Sequence, residues 1–335
     1  MINIALYGAG RIGCVHAANI AALYPRAKLT YVFDTNVATA AAIAGKYGAR
    51  QSDSVEQALL DAGTHAVLIA SSTNTHVDLI AAAARAGKAV LCEKPIDLTM
   101  ARVDECRKVV AEARVPVQIG FNRRYDRSHR AVRDAVRAGE IGSLELLVIS
   151  SRDPALAPLP YLRVSGGLFR DMTIHDFDLA RFVLGEDPIR EVFASGSALV
   201  DPALSEFGDL DTAMVVMKAA SGALVHINNS RRAVYGYDQR VEAFGSSGMV
   251  QSGNLRASAV TRFTASATDA REPLLHFFID RYAQSYVDEL ADFIGAISEQ
   301  RPPSVNFEDG RIALLLADAA CESARSGKAV PVRYA

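Results

Sequence analysis

The stretch Gly8-Ala9-Gly10-Arg11-Ile12-Gly13 decides the fold. It has the spacing G-x-G-x-x-G, follows the apolar run 2–7 and opens an Ala-rich segment of helical spacing. The bare pattern is a weak signal; a strand before it and a helix after it turn it into a dinucleotide-binding fingerprint. In such a turn Gly8 permits the tight reversal, Gly10 lets the backbone approach a diphosphate, and Gly13 lets the helix lie close on the strand. Arg11 and Ile12 open the helix, whose free N–H groups and dipole favour negative charge. Asp34 ends the next apolar run, 34 − 13 = 21 residues after Gly13. A carboxylate there hydrogen-bonds ribose hydroxyls and repels a 2′-phosphate, and neither Thr35 nor Asn36 supplies a cation to reverse this. The expected cofactor is therefore NAD rather than NADP. A strand-ending Asp also caps helices, a second reading of the same residue.

Outward from this turn the first 120 residues alternate. Short apolar runs at 2–7, 29–33, 66–70, 89–92 and 115–119 are separated by segments of helical spacing such as 77–86 and 101–113. That order predicts βαβ units and a doubly wound parallel sheet, a Rossmann domain over 1–120. Beyond 120 the pattern changes. Helical spacing at 128–138 and 171–184 is followed by strand-like runs at 191–198, 212–219, 224–229, 239–244 and 258–264, and then by two helical segments at 282–299 and 308–326. Residues 121–335 are expected to form an α+β domain carrying a largely antiparallel open sheet.

Three stretches carry chemistry. Ser71-Ser72-Thr73-Asn74-Thr75-His76 stands at the carboxyl end of the third clear strand, where open α/β sheets bind ligands. Ser71, Thr73, Asn74 and His76 can reach ribose and diphosphate there, and the same residues also suit an ordinary helix cap. Glu93-Lys94-Pro95 ends the next strand. A lysine at the ligand edge of a buried strand can bond a reacting hydroxyl and stabilise developing alkoxide charge, although lysines more often sit on solvated surface. Asp171 and His175 are four apart, which on an α-helix puts them on one face. The carboxylate can then hold the imidazole, and the imidazole can accept a hydroxyl proton. Asp176 and Asp178 read as packing or capping groups, and His16, His65, His129, His226 and His276 show no evident partner in the sequence.

The bulk composition narrows the class. The chain has 335 residues, half of them hydrophobic, and a formal net charge of −2. There is no basic field for nucleic acid, no apolar run long enough to span a bilayer, and no basic leader with a cleavage site. Cys14, Cys92, Cys106 and Cys321 form neither a C-x-x-C pair nor a zinc-spaced cluster, so no metal is expected and reduced thiols in a cytoplasm are. No G-x-S-x-G elbow and no Walker A lysine occurs.

The glycine turn, Asp34, the Thr73-Asn74-Thr75-His76 stretch and above all Glu93-Lys94-Pro95, in this order, resemble the Gfo/Idh/MocA oxidoreductases over essentially the whole chain. Within the family the resemblance is to inositol 2-dehydrogenases, carried by 120–126 (Gly-Phe-Asn-Arg-Arg-Tyr-Asp), 171–176 (Asp-Met-Thr-Ile-His-Asp) and 231–240 (Arg-Arg-Ala-Val-Tyr-Gly-Tyr-Asp-Gln-Arg). This resemblance implies NAD-dependent oxidation of a ring hydroxyl of a cyclic polyol, myo-inositol to its 2-keto product. It implies catalytic roles for Lys94, Asp171 and His175. It also implies substrate contacts from Arg123, Asp153 and Tyr235, and cofactor contacts that include Glu93, Lys94 and Asn122. A sugar dehydrogenase of the same family, a non-catalytic NAD-sensing regulator, and an enzyme that keeps its cofactor bound and passes hydride between two sugars remain as alternatives. An exposed sheet face in the second domain needs a cover, so self-association as a homodimer or homotetramer is expected.

Overall fold

A computed structural model describes residues 1–334. In chain order the elements are β1 (Ile2–Tyr7), α1 (Arg11–Ala22), β2 (Ala27–Phe33), α2 (Val37–Tyr47), β3 (Arg50–Gln51), α3 (Val55–Leu60), β4 (Ala66–Ile69), α4 (His76–Arg85), β5 (Ala89–Cys92), α5 (Met100–Ala113) and β6 (Val117–Ile119). Then come α6 (Arg127–Arg137), β7 (Leu144–Arg152), α7 (Leu159–Leu162), α8 (Ile174–Leu184), β8 (Ile189–Ser197), β9 (Thr212–Ala219), β10 (Leu224–Ser230), β11 (Asp238–Gly245) and β12 (Gly248–Ser252). Two short strands, β13 (Thr261–Arg262) and β14 (Ala270–Arg271), precede α9 (Phe278–Arg281), α10 (Ala283–Glu299), α11 (Phe307–Ser326) and β15 (Val330–Pro331). The chain divides into two compact units. One comprises 1–122 with 284–314, the other 123–283 with the residues from 315 onward. The first unit thus takes in 284–314, a segment that the sequence reading gave to the second domain.

The first unit is built on a six-stranded sheet in the order β3-β2-β1-β4-β5-β6, parallel throughout. Its strands are apolar on both faces because helices cover both. Ile4, Leu6, Leu29, Val32, Leu68 and Leu91 of the sheet share one core with Ile20 of α1 and with Leu290, Phe293 and Ile294 of α10. Strand order reverses between β1 and β4, the position at which such sheets open a ligand crevice. Local signals set the ends of α2: the Asn36 side chain accepts from Thr39 N at 3.2 Å, and Gly48 ends the helix in the left-handed region.

The second unit carries a seven-stranded sheet in the order β12-β11-β7-β10-β9-β8-β15. β7 and β10 pair in parallel and the remaining pairs are antiparallel. β9 alternates buried and exposed residues, as a strand with one covered face does. Two expectations change here. The run 258–264 forms only a two-residue strand in a separate ribbon with β14, because its exposed residues have no covered face to bury. Strand β12, paired with β11 through the turn at 245–248, lies between the runs 239–244 and 258–264, where the sequence reading placed no strand. In addition, the helix read from 171 begins as a π-helical turn over Phe169–Thr173 and becomes α-helical only at Ile174.

Phe293 is fully buried in the first unit's core. Phe293→Ala should lower stability by about 3–5 kcal/mol, the cost of a large cavity, measured as a drop in the urea midpoint of the transition that bound NAD protects.

Candidate active site

The glycine turn of the first unit has the close approaches its spacing demands. Gly8 has φ +97°, and a Cβ there would lie 2.4 Å from the backbone carbon of Ala70, at the end of β4. A Cβ on Gly13 would lie 2.1 Å from the Gly8 carbonyl oxygen. Both positions therefore exclude any side chain, and α1 sits directly over the turn. Gly10 differs: nothing lies within 4 Å of where its Cβ would be. It is the N-cap of α1, with no side-chain cap and no acidic residue in the first turn. Arg11 is exposed and Ile12 half-buried beside it. Uncapped N–H groups facing open space, with no carboxylate to repel an anion, fit a diphosphate. Asp34 is held by the same turn. Its Oδ2 accepts from Ala9 N at 2.6 Å and its Oδ1 from Asn36 N at 2.7 Å. The carboxylate is thus fixed at the carboxyl end of β2, and Asn36, not Asp34, caps the following helix.

After β4, the Ser71 and Thr75 hydroxyls bond each other at 2.7 Å, and Thr73–Thr75 form one 3-10 turn leading into α4. Thr73 is half-buried and Asn74 exposed on this turn. His76 is buried. Its Nδ1 lies 2.8 Å from the Pro95 carbonyl and its Nε2 3.1 Å from the Ser71 carbonyl. Burial lowers its pKa below the ordinary imidazole value, against the two carbonyls, which raise it. The ring therefore sits between the Ser71 turn and the Lys94-Pro95 segment, and in its neutral form donates to one of the two carbonyls. Lys94 is half-buried at the end of β5, and Asn122, the last residue of this segment of the unit, is buried. Glu93 turns inward: its Oε1 lies 2.8 Å from Nε2 of His16 in α1. This pair, 77 residues apart, gave no signal in the sequence, where His16 had no visible partner.

In the second unit the residues around α8 converge. Asp171 sits in the π turn, a feature frequent at functional sites. Its Oδ1 accepts from Tyr161 OH at 2.7 Å and its Oδ2 from the Arg231 guanidinium at 2.9 Å. Asp171 thus stands in a turn wider than the α-helix expected for its four-residue spacing to His175, and a tyrosine and an arginine are among its partners. His175 follows in the first turn of α8, half-buried. The Asp153 carboxyl is pushed up to about 6 by burial, with Asp171 adding to the rise and Arg231 opposing it. Arg123 is buried. It donates to Asp176 at 2.6 Å and to Ser151 Oγ at 3.1 Å, and lies over the Tyr282 ring. Asp176 also accepts from Asn229 at 2.8 Å, and Asn229 accepts from Thr173 at 2.7 Å. Arg123, expected at a substrate, is thus committed to an ion pair that anchors α8. Arg124 does the same with Asp178 at 2.6 Å. Tyr235 is exposed and donates to Asp238 at 2.8 Å. All four cysteines are free thiols, and among the described residues no helix is long and apolar enough to cross a membrane.

Residues 2–121 match the family model described as "Oxidoreductase family, NAD-binding Rossmann fold", and residues 129–251 match the GFO/IDH/MocA C-terminal domain. The chain is 45% identical to an inositol 2-dehydrogenase of Rhizobium meliloti over 99% of both chains. It is 45% identical to a myo-inositol 2-dehydrogenase of Thermotoga maritima over 98% of both. Among solved structures, scyllo-inositol dehydrogenase from Lactobacillus casei with bound NAD(H) and scyllo-inositol superimposes with a TM-score of 0.91 at 29% identity, covering 99% of each chain.

Two measurements check this geometry. Gly13→Ala should abolish measurable NAD binding by calorimetry, because its Cβ has no room beside the Gly8 carbonyl. The Asp153 carboxyl, followed by 13C NMR, should titrate near pH 6, and Asp171→Asn should move that midpoint down, since it removes a neighbouring negative charge.

Proposed function

The chain belongs to the Gfo/Idh/MocA oxidoreductase family, and from that premise we propose that it oxidises a ring hydroxyl of inositol, myo-inositol first, with NAD as acceptor. The observation that carries this reading is end-to-end relatedness, at 45% identity, to inositol 2-dehydrogenases.

Gly8, Gly10 and Gly13 with the first turn of α1 would hold the diphosphate, and Asp34 the adenosine ribose hydroxyls. Ser71, Thr73 and Asn74 line the same carboxyl edge. Bound NAD supplies the hydride acceptor. The chain's own work is to orient the polyol, to move one proton and to stabilise charge on one oxygen. In this reading Lys94 donates a hydrogen bond to the reacting hydroxyl and lowers the cost of alkoxide character. His175 accepts the hydroxyl proton. Asp171, already bonded by Tyr161 and Arg231, supplies negative charge that favours the protonated imidazole. Asp153 and Tyr235 are assigned to the remaining polyol hydroxyls. Arg123 acts one step back, by fixing Asp176 and with it the start of α8. The free thiols and the NAD-binding turn suit a cytoplasmic enzyme.

We also assign the open face of the second unit's sheet to a further copy of the chain. Met249, Phe244, Leu146 and Leu224 are exposed and stand in register across β12, β11, β7 and β10. Phe193 and Val216 form a second exposed apolar pair across β8 and β9. A contiguous apolar row of this kind marks an interaction surface, and homo-oligomers close such faces symmetrically.

The assay is NADH formation from myo-inositol, with scyllo-inositol, D-glucose and D-xylose beside it and NADP as control. Turnover of an inositol with NAD is the expected result, and turnover of the sugars alone would replace inositol by an aldose. Lys94→Ala and His175→Ala should each lower kcat by about 10²–10⁴-fold while NAD affinity is retained. Unchanged turnover in both would remove them from the chemistry. Phe244→Asp should convert the oligomer to smaller species in light scattering.

A further inference from the structure

Beneath the Lys94 end of β5 lies a group of titratable side chains that the reaction above does not use. His16 from α1, Glu93 from the end of β5 and Glu289 from α10 bring their potential ligating atoms within 4.8 Å of one another. Nε2 of His16 is 2.8 Å from Oε1 of Glu93. Glu289 has no exposure to solvent, and neither of its carboxyl oxygens has a hydrogen-bond partner. Tyr286, one turn earlier on α10, closes over His16 with ring centroids 5.7 Å apart and planes at 88°. Gly120, after β6, leaves room for Glu93: a Cβ there would lie 3.1 Å from Glu93 Oε2. From β6, Gln118 contributes only an amide, whose Nε2 donates to the Glu289 backbone carbonyl at 3.0 Å.

Two carboxylates this close, one of them with no exposure to solvent, do not both ionise. Either a proton or a cation must balance them. The charged neighbours that act on Glu289 are Glu93 and Asp292, both acidic, and together with burial they hold its carboxyl well above the ordinary range. A proton is the smaller answer. It turns an unpartnered acceptor into a donor.

We propose that Glu289 is kept as a neutral carboxylic acid at neutral pH, sparing Glu93 a second negative charge beside it, and that it thereby serves as a positioning residue for Lys94. Glu93 directly precedes Lys94, and its Oε2 also accepts the Lys94 backbone N–H at 3.4 Å. The trio ties three parts of the first unit together: the helix that carries the glycine turn, the strand end that presents Lys94, and α10. Ionising Glu289 would set two carboxylates against each other at that strand end. The positioning role rests on the dehydrogenase reading of Lys94; the buried acid does not.

The direction of the linkage follows. A carboxyl whose folded pKa lies above its unfolded value contributes stability that is lost as pH rises towards the folded pKa. The melting temperature of the wild-type chain should therefore fall from neutral to alkaline pH more steeply than that of Glu289→Gln, which has the same shape and no titration. Superimposable profiles would overturn the proposal. The direct test is difference infrared spectroscopy of the full chain with 13C-labelled glutamate. A protonated carboxyl band should be present at neutral pH in the wild type and missing in Glu289→Gln. Absence of the band in the wild type overturns the proposal, as does one equivalent of tightly bound divalent metal in chelator-washed protein. Should Glu289→Gln fail to fold, Asp292→Asn serves instead: it removes an acidic neighbour, and the wild-type band should then titrate away at lower pH. For positioning, Glu289→Gln should preserve kcat with inositol near neutral pH and flatten its alkaline decline. An unchanged kcat–pH profile removes the positioning role. A wild type with the infrared band and no polyol turnover would confirm the buried acid while refuting the dehydrogenase reading.

Discussion

Asp176 is a carboxylate with no access to water, and the second unit is arranged around that fact. Burial raises its pKa, and Arg123, Asn229 and Ser151 work the other way. A buried ion pair of this sort contributes little net stability compared with an apolar pair, but removing one partner alone is costly, about 3–5 kcal/mol. Its value here is geometric. Arg123 follows the first segment of the NAD-binding unit, Asp176 lies in the first turn of α8, Ser151 is on β7 and Asn229 on β10. The four together fix where α8 starts, and the two residues proposed for proton transfer, Asp171 and His175, flank that start.

The first unit shows the same logic with steric contact in place of charge. Gly8 and Gly13 touch backbone at distances that no Cβ tolerates, and this closeness puts the N-terminus of α1 at the reversal of strand order. Asp34 is oriented by the turn it serves, through Ala9 N. The glycine turn and the carboxylate that it orients are thus held together by backbone contacts.

Much of this was legible in the chain. Strands at 2–7, 89–92 and 212–219 fall where the apolar runs place them, because a fully buried strand and a half-buried alternating one each leave a plain pattern. The glycine turn and the lysine at a strand end were legible for the same reason: local spacing encodes them. What escaped reading depends on residues far apart. The Arg123–Asp176 pair spans 53 positions and His16–Glu93 spans 77, and no periodicity records such pairs. The π turn at Phe169–Thr173 differs from an α-helix by one residue in the span of its hydrogen bonds, too little for the spacing of Asp171 and His175 to reveal. Strand β12 is mostly exposed and lacks the apolar alternation that marks a covered strand.

The return of α10 to the first unit has a consequence for biosynthesis. Leu290, Phe293 and Ile294 complete the core beneath the parallel sheet. A ribosome must therefore translate most of the gene before the dinucleotide-binding half can close, even though its glycine turn emerges first. Until then the nascent sheet lacks part of its cover, and every strand of the second-unit sheet except β15 is made in the interval. A fragment cut at the first crossover would lack part of its own interior.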